Sequence, residues 1–266
     1  MVGSGCASIP HVLVFPFPVH SHGRMDASEG VRGRFARYQG FRFETVTDGL
    51  PRDHPRCGER VREMFHSTRT ATLPAFREMI LSGRLGSASG GLVTCIIADG
   101  VMSFSVDVAK EIGVPCFLFR TVSAACFWAY FSIPRLIDTG VIPFKPVDLD
   151  EPISAIPAME GFLRRRDIPS FCRSHEITME SLEFISAENQ HNSKADAMIF
   201  NTFEELESPV LSHIRQDLQK GTRERAEKLA GVAASSCKVG GESYHSLEKL
   251  IEDVKDTVRG AYVRGP

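Results

Sequence analysis

Two side chains of this sequence stand where α/β proteins carry out their chemistry. His22 comes shortly after the apolar run His11–Phe17, and Asp99 directly follows the apolar run Leu92–Ala98. Both runs have the composition of buried parallel strands, and ligands of such sheets bind at the carboxyl ends of the strands. A histidine at that edge can take a proton from a substrate hydroxyl, while a nearby carboxylate fixes its tautomer. His22 and Asp99 are therefore a candidate catalytic pair.

Each of these two residues also has a simpler interpretation. His22 lies in a polar turn, Val19–Gly23, where a histidine needs no catalytic role. Asp99 precedes a predicted helix over Val101–Ile112, and aspartate is a good helix N-cap. Position alone leaves both interpretations open.

The remaining polar motifs do not indicate a metal or phosphate site. His20 and His22 form a His-x-His pair, but a tetrahedral zinc site needs further ligands that no other spacing supplies. The glycine-rich run 86–91 precedes a strand, whereas a phosphate-binding loop follows one. Arg164–Arg166 is typical of a solvated face. We expect no bound metal and no cofactor.

The elements that must position His22 and Asp99 follow an α/β pattern. A strand over Leu92–Ala98, a helix over Val101–Ile112 and a strand over Pro115–Phe119 are joined by short connections, which predicts a βαβ unit and a parallel sheet. Further strands are predicted over 11–17, 41–46 and 197–200, and further helices over 58–81, with a kink or a boundary at Pro74, and over 204–214. The fold class is therefore a Rossmann-like parallel sheet flanked by helices.

Aromatic residues crowd the helix predicted after the Pro115–Phe119 strand. They are Phe127, Trp128, Tyr130 and Phe131. Such clusters mostly pack in a core. Phe127, Trp128 and Phe131 are nevertheless candidate walls of an acceptor pocket, because ligand pockets combine aromatic surface with a few polar groups.

Composition excludes several classes of protein. The 266 residues include 31 Lys and Arg against 33 Asp and Glu, so the net charge of −2 provides no basic surface for nucleic acid. The longest apolar stretch, 114–131, contains Arg120 and is too polar for a membrane span. Seven scattered cysteines without a Cys-x-x-Cys pair, and no basic leader, favour a reducing compartment. We expect a cytoplasmic protein with a small-molecule partner.

Several segments together resemble the plant family-one UDP-glycosyltransferases. In chain order they are HVLVFPFPVHSHG, GFRFETVTDGLPRDHPR, CIIADGVMSFSVDVAKEIGVPCFLFRTVSAACFWAYFSIPRLIDTGVIP, GFLRRRDIPSFCR and ADAMIFNTFEELESPVLSHIR, and they cover most of residues 10–215. The resemblance implies one half of a GT-B fold. It also implies inverting transfer of glucose from UDP-glucose, as a co-substrate, to a hydroxyl or carboxyl of an iridoid, terpenoid or phenolic metabolite.

The same resemblance assigns roles to individual residues. His22 matches the catalytic base of the family, and Asp99 matches the aspartate that orients it. Thr121, in the segment Phe119–Thr121, matches a threonine near the donor sugar.

The sequence departs from the family at two places. Between Arg24 and Arg32 it passes over an early helix and strand, and between Arg215 and Lys220 it passes over the donor-binding box, whose tryptophan is lacking because Trp128 is the only one. The resemblance implies an acceptor domain over 1–216 and a helical C-terminal tail over 217–266, which is a remnant of the donor domain. An amphipathic helix is predicted over 243–258. We also expect apolar sheet surface to be exposed and solubility to be poor.

Two hypotheses of function follow. In the first, the chain is an incomplete UDP-glucosyltransferase that is inactive alone, because a correctly placed base does not replace the binding energy of the nucleotide. UDP-sugar is then a partner only when the missing domain is supplied. In the second, the chain is a non-catalytic fragment that binds acceptor-like small molecules or pairs with full-length relatives.

Overall fold

A computed structural model describes residues 11–17, 33, 42–57, 60–83, 85, 92–142, 149–173 and 179–218. All of them belong to the first of the two units into which the chain divides, Met1–Leu218. His20, His22, the glycine-rich run 86–91 and the predicted helix over 243–258 lie outside the described residues. The domain boundary at 216 stays a prediction.

Among the described residues, four parallel strands form one sheet, and their spatial order is the same as their order in the chain. They are β1 (Val12–Phe15), β2 (Cys95–Asp99), β3 (Cys116–Arg120) and β4 (Ala197–Phe200). Every neighbouring pair is parallel. The predicted Rossmann-like parallel sheet is confirmed.

Helices occupy each connection between the strands. The described helices are α1 (Val61–Ser67) and α2 (Leu73–Leu81) before β2, α3 (Ser105–Glu111) before β3, α4 (Ala124–Phe131), α5 (Ile133–Asp138) and α6 (Met179–His191) before β4, and α7 (Glu204–Leu218) after it. A π-helical turn, Thr68–Thr72, joins α1 to α2. Pro74 lies in the first turn of α2, where its missing N–H group is tolerated, so the boundary predicted there is confirmed.

The described core lies on one face of the sheet. Side chains alternate along a strand, and the register aligns Leu13 with Ile96 and Ala98 with Leu118 on the same side. Ile96, Ala98 and Leu118 are almost completely buried. One buried cluster lies around Ile96 and Phe76, and a second lies around Phe127 and α5.

On the opposite face of the sheet, several of the described apolar side chains are exposed. Val14 is aligned with Ile97, and Phe119 is aligned with Ile199, so these side chains share that face with Val12. The exposed fractions are 44% for Val12, 58% for Val14, 37% for Phe119 and 42% for Ile199. We call this surface the open face. Parallel sheets normally have both faces covered, so the open face is the exposed apolar sheet surface that the sequence predicted.

The strand predicted over 41–46 is wrong for the part that the structure describes. Residues 42–49 have no strand structure, because a strand needs a neighbour to pair its N–H and C=O groups. Arg56 holds this segment instead: its Nε and Nη2 atoms lie 2.6 and 3.1 Å from the Asp48 carboxylate. Burial would raise the pKa of Asp48, but the bonds from Arg56 and from the Leu50 N–H hold that pKa below its usual value.

Candidate active site

Asp99 lies at the carboxyl end of β2, where the sequence places it, and is 7% exposed. Its Oδ1 atom accepts a hydrogen bond of 3.1 Å from the Val101 N–H, and its backbone oxygen accepts one of 2.8 Å from the Met102 N–H. These bonds form a tight turn, so α3 begins only at Ser105, with Phe104 as its N-cap. The predicted helix start at Val101 is wrong, and so is the N-cap interpretation of Asp99.

Arg120 is a buried cation at the same edge of the sheet. It ends β3, is 5% exposed, and its guanidinium carbon lies 5.1 Å from the centre of the Phe127 ring. Burial lowers the pKa of Arg120, and the negative charge of Asp99 opposes that lowering. From the sequence, Arg120 was interpreted only as an interruption of an apolar stretch. Its position inside a buried strand could have identified it as a candidate site residue, because a charge is rarely buried without a role.

Gly100 allows Arg120 to lie across the turn that follows Asp99. A Cβ atom at this position would overlap Cδ of Arg120 and lie 2.9 Å from its Nη1 atom. Asn192, which is 1% exposed, donates from Nδ2 to the Gly100 oxygen at 3.0 Å. Its Oδ1 atom lies 3.5 Å from Nη1 of Arg120. The ends of β2 and β3 are thereby joined to the residues that follow α6.

A cavity of about 300 Å³ lies beside this turn. Val101, which bonds to the Asp99 carboxylate, is part of its wall. Three aromatic rings and several polar side chains contribute as well, and the rings are Phe65 from α1, Phe104 from the turn and Phe184 from α6. This combination of aromatic surface and a few polar groups is typical of small-molecule sites.

One ion pair and one histidine–aspartate contact belong to the cavity wall. Arg69, in the π-helical turn, forms an ion pair with Glu188 of α6, and Ser103 donates to the other Glu188 oxygen at 2.6 Å. His191 lies 3.0 Å from Asp107, measured from Nε2 to Oδ2. Single π-helical turns are frequent at functional sites. None of these residues was identified as a site residue from the sequence, because they meet only through the packing of α1, α3 and α6.

Thr121 lies in the loop that follows β3, and residues after β4 hold this loop. Asn201 donates from its backbone N–H to the Arg120 oxygen at 3.2 Å and from Nδ2 to the Thr121 oxygen at 3.3 Å. The structure therefore fixes the backbone of Thr121. Its role near the donor sugar stays a prediction.

Glu207 holds the start of α4. Its two carboxylate oxygens accept from the N–H groups of Ala124 and Ala125, both at 2.9 Å, and Ser123 accepts from the Cys126 N–H. Glu207 has non-helical backbone angles inside α7, two residues before Pro209. Burial would raise the pKa of Glu207, but the hydrogen bonds hold it below its usual value. The N-terminus of α4 is therefore occupied by the chain's own carboxylate.

The aromatic residues predicted as pocket walls pack in the core. Phe127 is completely buried, and Trp128, 3% exposed, donates from Nε1 to the Pro157 oxygen at 2.9 Å. Phe131 stacks on Trp128 with the ring centres 5.3 Å apart. None of the three belongs to the wall of the described cavity, and their part in an acceptor pocket stays a prediction.

The arginine cluster pairs with acidic residues nearby in sequence. Arg164 lies 3.0 Å from Asp150, Arg165 lies 2.6 Å from Glu151, and Arg166 also pairs with Asp150. These contacts agree with a solvated face. In the part of the chain that the structure describes, no three His, Cys, Asp or Glu side chains are grouped to hold a metal ion. Among the same residues, no helix has the length and apolarity that a membrane crossing requires.

Among curated proteins, the chain is similar to plant glucosyltransferases. No family model matches the chain. The chain is 43% identical over 239 residues to 7-deoxyloganetic acid glucosyltransferase of Catharanthus roseus, which covers 79% of this chain and 50% of the relative. It is 34% identical over 234 residues to UDP-glycosyltransferase 85A5 of Arabidopsis thaliana, covering 77% and 48%. It is 32% identical over 237 residues to linamarin synthase 1 of Manihot esculenta, covering 77% and 49%.

Solved structures give the same fold. A UDP-glucosyltransferase from Polygonum tinctorium, in complex with 3,4-dichloroaniline, superposes with a TM-score of 0.58 at 20% identity. A UDP-glucose: anthocyanidin 3-O-glucosyltransferase in complex with UDP gives 0.57 at 22% identity. These matches cover 79% and 78% of this chain and 50% of each neighbour.

The observed fold, a parallel sheet with flanking helices, is consistent with the family of the curated relatives. The chain spans about half the length of the curated relatives it matches, and its fold is one half of a GT-B fold. Over the residues that align, it belongs to the plant family-one UDP-glycosyltransferases.

Proposed function

We propose that the chain carries the acceptor-binding half of a plant UDP-glucosyltransferase and that the described cavity is its acceptor site. The observation that carries the proposal is the contact between Val101 and Asp99, because Val101 belongs both to the cavity wall and to the turn fixed by the Asp99 carboxylate. An acceptor in the cavity would lie next to the predicted catalytic edge. A volume of about 300 Å³ is at the lower end of ligand pockets and suits an iridoid, a terpenoid or a simple phenolic.

In the proposed reaction, His22 takes the proton of an acceptor hydroxyl. The acceptor oxygen attacks the anomeric carbon of the sugar, the bond to UDP breaks, and the configuration inverts. Asp99 orients the imidazole and stabilises its protonated form, as a buried carboxylate does beside a catalytic histidine. General-base assistance of this kind contributes roughly 10²- to 10⁴-fold to a rate.

Binding of the sugar donor needs residues that the aligned half does not supply. The alignment covers about half of each relative, and the N-terminus of α4 is already occupied by Glu207. We therefore propose that the isolated chain binds acceptors but transfers no glucose by itself. A catalytic pair without the binding energy of the nucleotide has no donor on which to act.

Ligand-dependent melting of the purified chain tests this proposal. We expect small terpenoid or phenolic alcohols to raise the melting temperature and UDP-glucose to leave it unchanged, since only a ligand of the folded state stabilises it. Ala187→Trp, in the cavity wall, should abolish the acceptor shift. The matched control Glu183→Trp, exposed on the same helix and outside the wall, should retain it.

Two results would contradict the proposal. One is the absence of any shift at saturating concentrations of all acceptors. The other is transfer from UDP-glucose by the chain alone at a rate above that of Asp99→Ala.

The half-length match also supports a second function, in which the chain binds small molecules or pairs with full-length relatives without catalysis. Addition of a separately produced donor half separates the two functions. Transfer that depends on His22 favours the enzyme, whereas acceptor binding without transfer favours the binding fragment. We also propose a cytoplasmic location from the composition of the chain. The five described cysteines are all free, which is consistent with a reducing compartment.

A further inference from the structure

Arg69 has a fixed position in the cavity wall. Its guanidinium carbon lies 4.6 Å from the centre of the Phe184 ring, and its Nη2 atom forms the ion pair with Oε1 of Glu188. Stacking on an aromatic face and pairing with a carboxylate both restrict an arginine side chain. Arg69 is therefore held in one place before any ligand arrives.

Glu188 is itself held by hydrogen bonds to residues other than Arg69. The residue is 8% exposed, its Oε2 atom accepts from Ser103 at 2.6 Å, and its backbone oxygen accepts from Asn192 at 2.8 Å. Ser103 and Asn192 are both buried. A site built on such a support keeps its geometry when a ligand binds.

The guanidinium of Arg69 has donors left for a ligand. An arginine has five N–H donors in a planar fork, and among the described residues the hydrogen bonds of Arg69 involve only its Nη2 atom. Its side chain is 54% exposed and belongs to the cavity wall. Nη2 carries two N–H groups, so the second of them, together with an N–H of Nε or Nη1, can form the fork that matches the two oxygens of a carboxylate.

The negative charges of the cavity wall do not prevent a carboxylate ligand from binding there. Glu188 is neutralised by Arg69 and bonded to Ser103. The Asp107 side chain is 56% exposed, so solvent screens its charge. Arg69 is the only Lys or Arg among the residues that line the described cavity.

We propose that Arg69 binds a carboxylate of the acceptor, so that the cavity selects small apolar acids over the corresponding neutral alcohols. This inference rests on the proposed acceptor site. Arg69 belongs to the wall from the π-helical turn, whereas Val101 belongs to the wall beside Asp99. The acid group is then a recognition group, and the oxygen that receives the sugar is a hydroxyl elsewhere in the molecule.

Calorimetric titration of the full chain with perillic acid and perillyl alcohol tests the inference. The two probes share one carbon skeleton and differ only in the carboxylate, which is ionised at pH 7. We expect the acid to bind about tenfold more tightly than the alcohol. Arg69→Gln should remove this preference by weakening the acid about tenfold, with little change for the alcohol. Arg69→Lys should restore it in part, because lysine keeps the charge and loses the fork.

Glu188→Gln separates ligand binding from a merely structural role of Arg69. If Arg69 only supports Glu188, both variants should weaken the acid alike. If Arg69 binds the ligand, removal of the competing negative charge should tighten the acid on the order of twofold to fivefold. Arg77→Gln is the matched control, because Arg77 is similarly exposed, pairs with Glu111 and lies outside the cavity wall.

The outcomes distinguish this inference from the proposed function. Equal affinity of the unmodified chain for the acid and the alcohol overturns the role of Arg69 and leaves the acceptor site standing. An Arg69→Gln variant that still binds the acid more tightly than the alcohol would also overturn the role of Arg69 and leave the acceptor site standing. If neither probe binds the unmodified chain, the acceptor site and the inference both fail.

Discussion

Glu207 caps α4 across 83 residues of sequence, with its Oε2 atom 2.9 Å from the backbone nitrogen of Ala124. Its other oxygen receives the next N–H group of the helix, so one carboxylate satisfies two donors that a helix leaves unpaired. Negative charge at a helix N-terminus also complements the helix dipole. This contact fixes the beginning of the aromatic helix directly after the Thr121 loop.

Replacement of Glu207 should destabilise the fold. Glu207→Ala leaves two backbone N–H groups without their partner, and we expect it to lower the free energy of unfolding by about 1 to 2 kcal/mol. Urea denaturation measures the change. Glu205→Ala, on the same helix and exposed, is the control and should cost less than about 0.5 kcal/mol. Equal losses in the two variants would contradict a capping role.

The contribution of Glu207 should depend on pH. Its pKa in the folded chain is lowered from the ordinary value of 4.5, so its ionised form stabilises the fold. The difference in stability between the natural chain and Glu207→Gln should be complete above the unfolded pKa of 4.5. It should then decline as the pH falls through the lower folded pKa. A difference that grows on acidification would have the wrong sign.

Asp99 and Arg120 should be energetically coupled. Each is buried, so removal of one charge leaves the other without compensation, whereas removal of both avoids that cost. In a cycle of Asp99→Asn, Arg120→Met and the double variant, we expect a coupling of about 1 kcal/mol or more.

Urea denaturation of all four proteins measures this coupling. The exposed pair Arg77 and Glu111, 2.7 Å apart, is the control and should give less than about 0.5 kcal/mol. Additive losses at Asp99 and Arg120 would show that the two charges act independently.

Trp128 should behave as a core residue. It is the only tryptophan and is 3% exposed, so its emission should be blue-shifted and poorly quenched by acrylamide. An acceptor in the described cavity should leave this emission unchanged, because Trp128 is not part of the wall. Strong quenching by an acceptor would instead support the predicted pocket of Phe127, Trp128 and Phe131.

The open face should govern solubility. Val14→Lys adds a charge to an exposed apolar position and should raise the soluble fraction without loss of stability. Leu13→Lys is the matched control one residue away, and it should unfold the chain because Leu13 packs against the core. Soluble yield and light scattering measure both effects. Unchanged aggregation of Val14→Lys would show that another surface is responsible.

Local patterns in the sequence predicted most of the elements. The runs at β2 and β3 and the apolar spacing of α1 and α2 depend on nearby residues only, and all four are present. The segment 42–49 alternates like a strand, but a strand also needs a partner, and the sequence does not show whether one lies alongside. The sequence around Asp99 was misleading for a similar reason. Aspartate is a good N-cap residue, but a turn follows Asp99 and the helix begins only at Ser105.

The residues around the candidate site were harder to predict, because they meet over long distances in sequence. Ser103 and Glu188 are 85 residues apart, and Gly100 and Asn192 are 92 apart. No periodicity relates such pairs, and each residue alone has an ordinary surface or capping interpretation. Arg120 offered a local signal, an arginine inside an apolar strand, but this signal was interpreted only as an interruption of the apolar stretch.

The bonds that Asn201 and Glu207 make to the loop after β3 also determine when this edge can form during synthesis. Asn201 leaves the ribosome 80 residues after Thr121, and Glu207 leaves it 83 residues after Ala124. A nascent chain can pair the first three strands earlier, because neighbours in the sheet are consecutive in the sequence. The candidate catalytic edge is therefore completed only after β4 has emerged and docked.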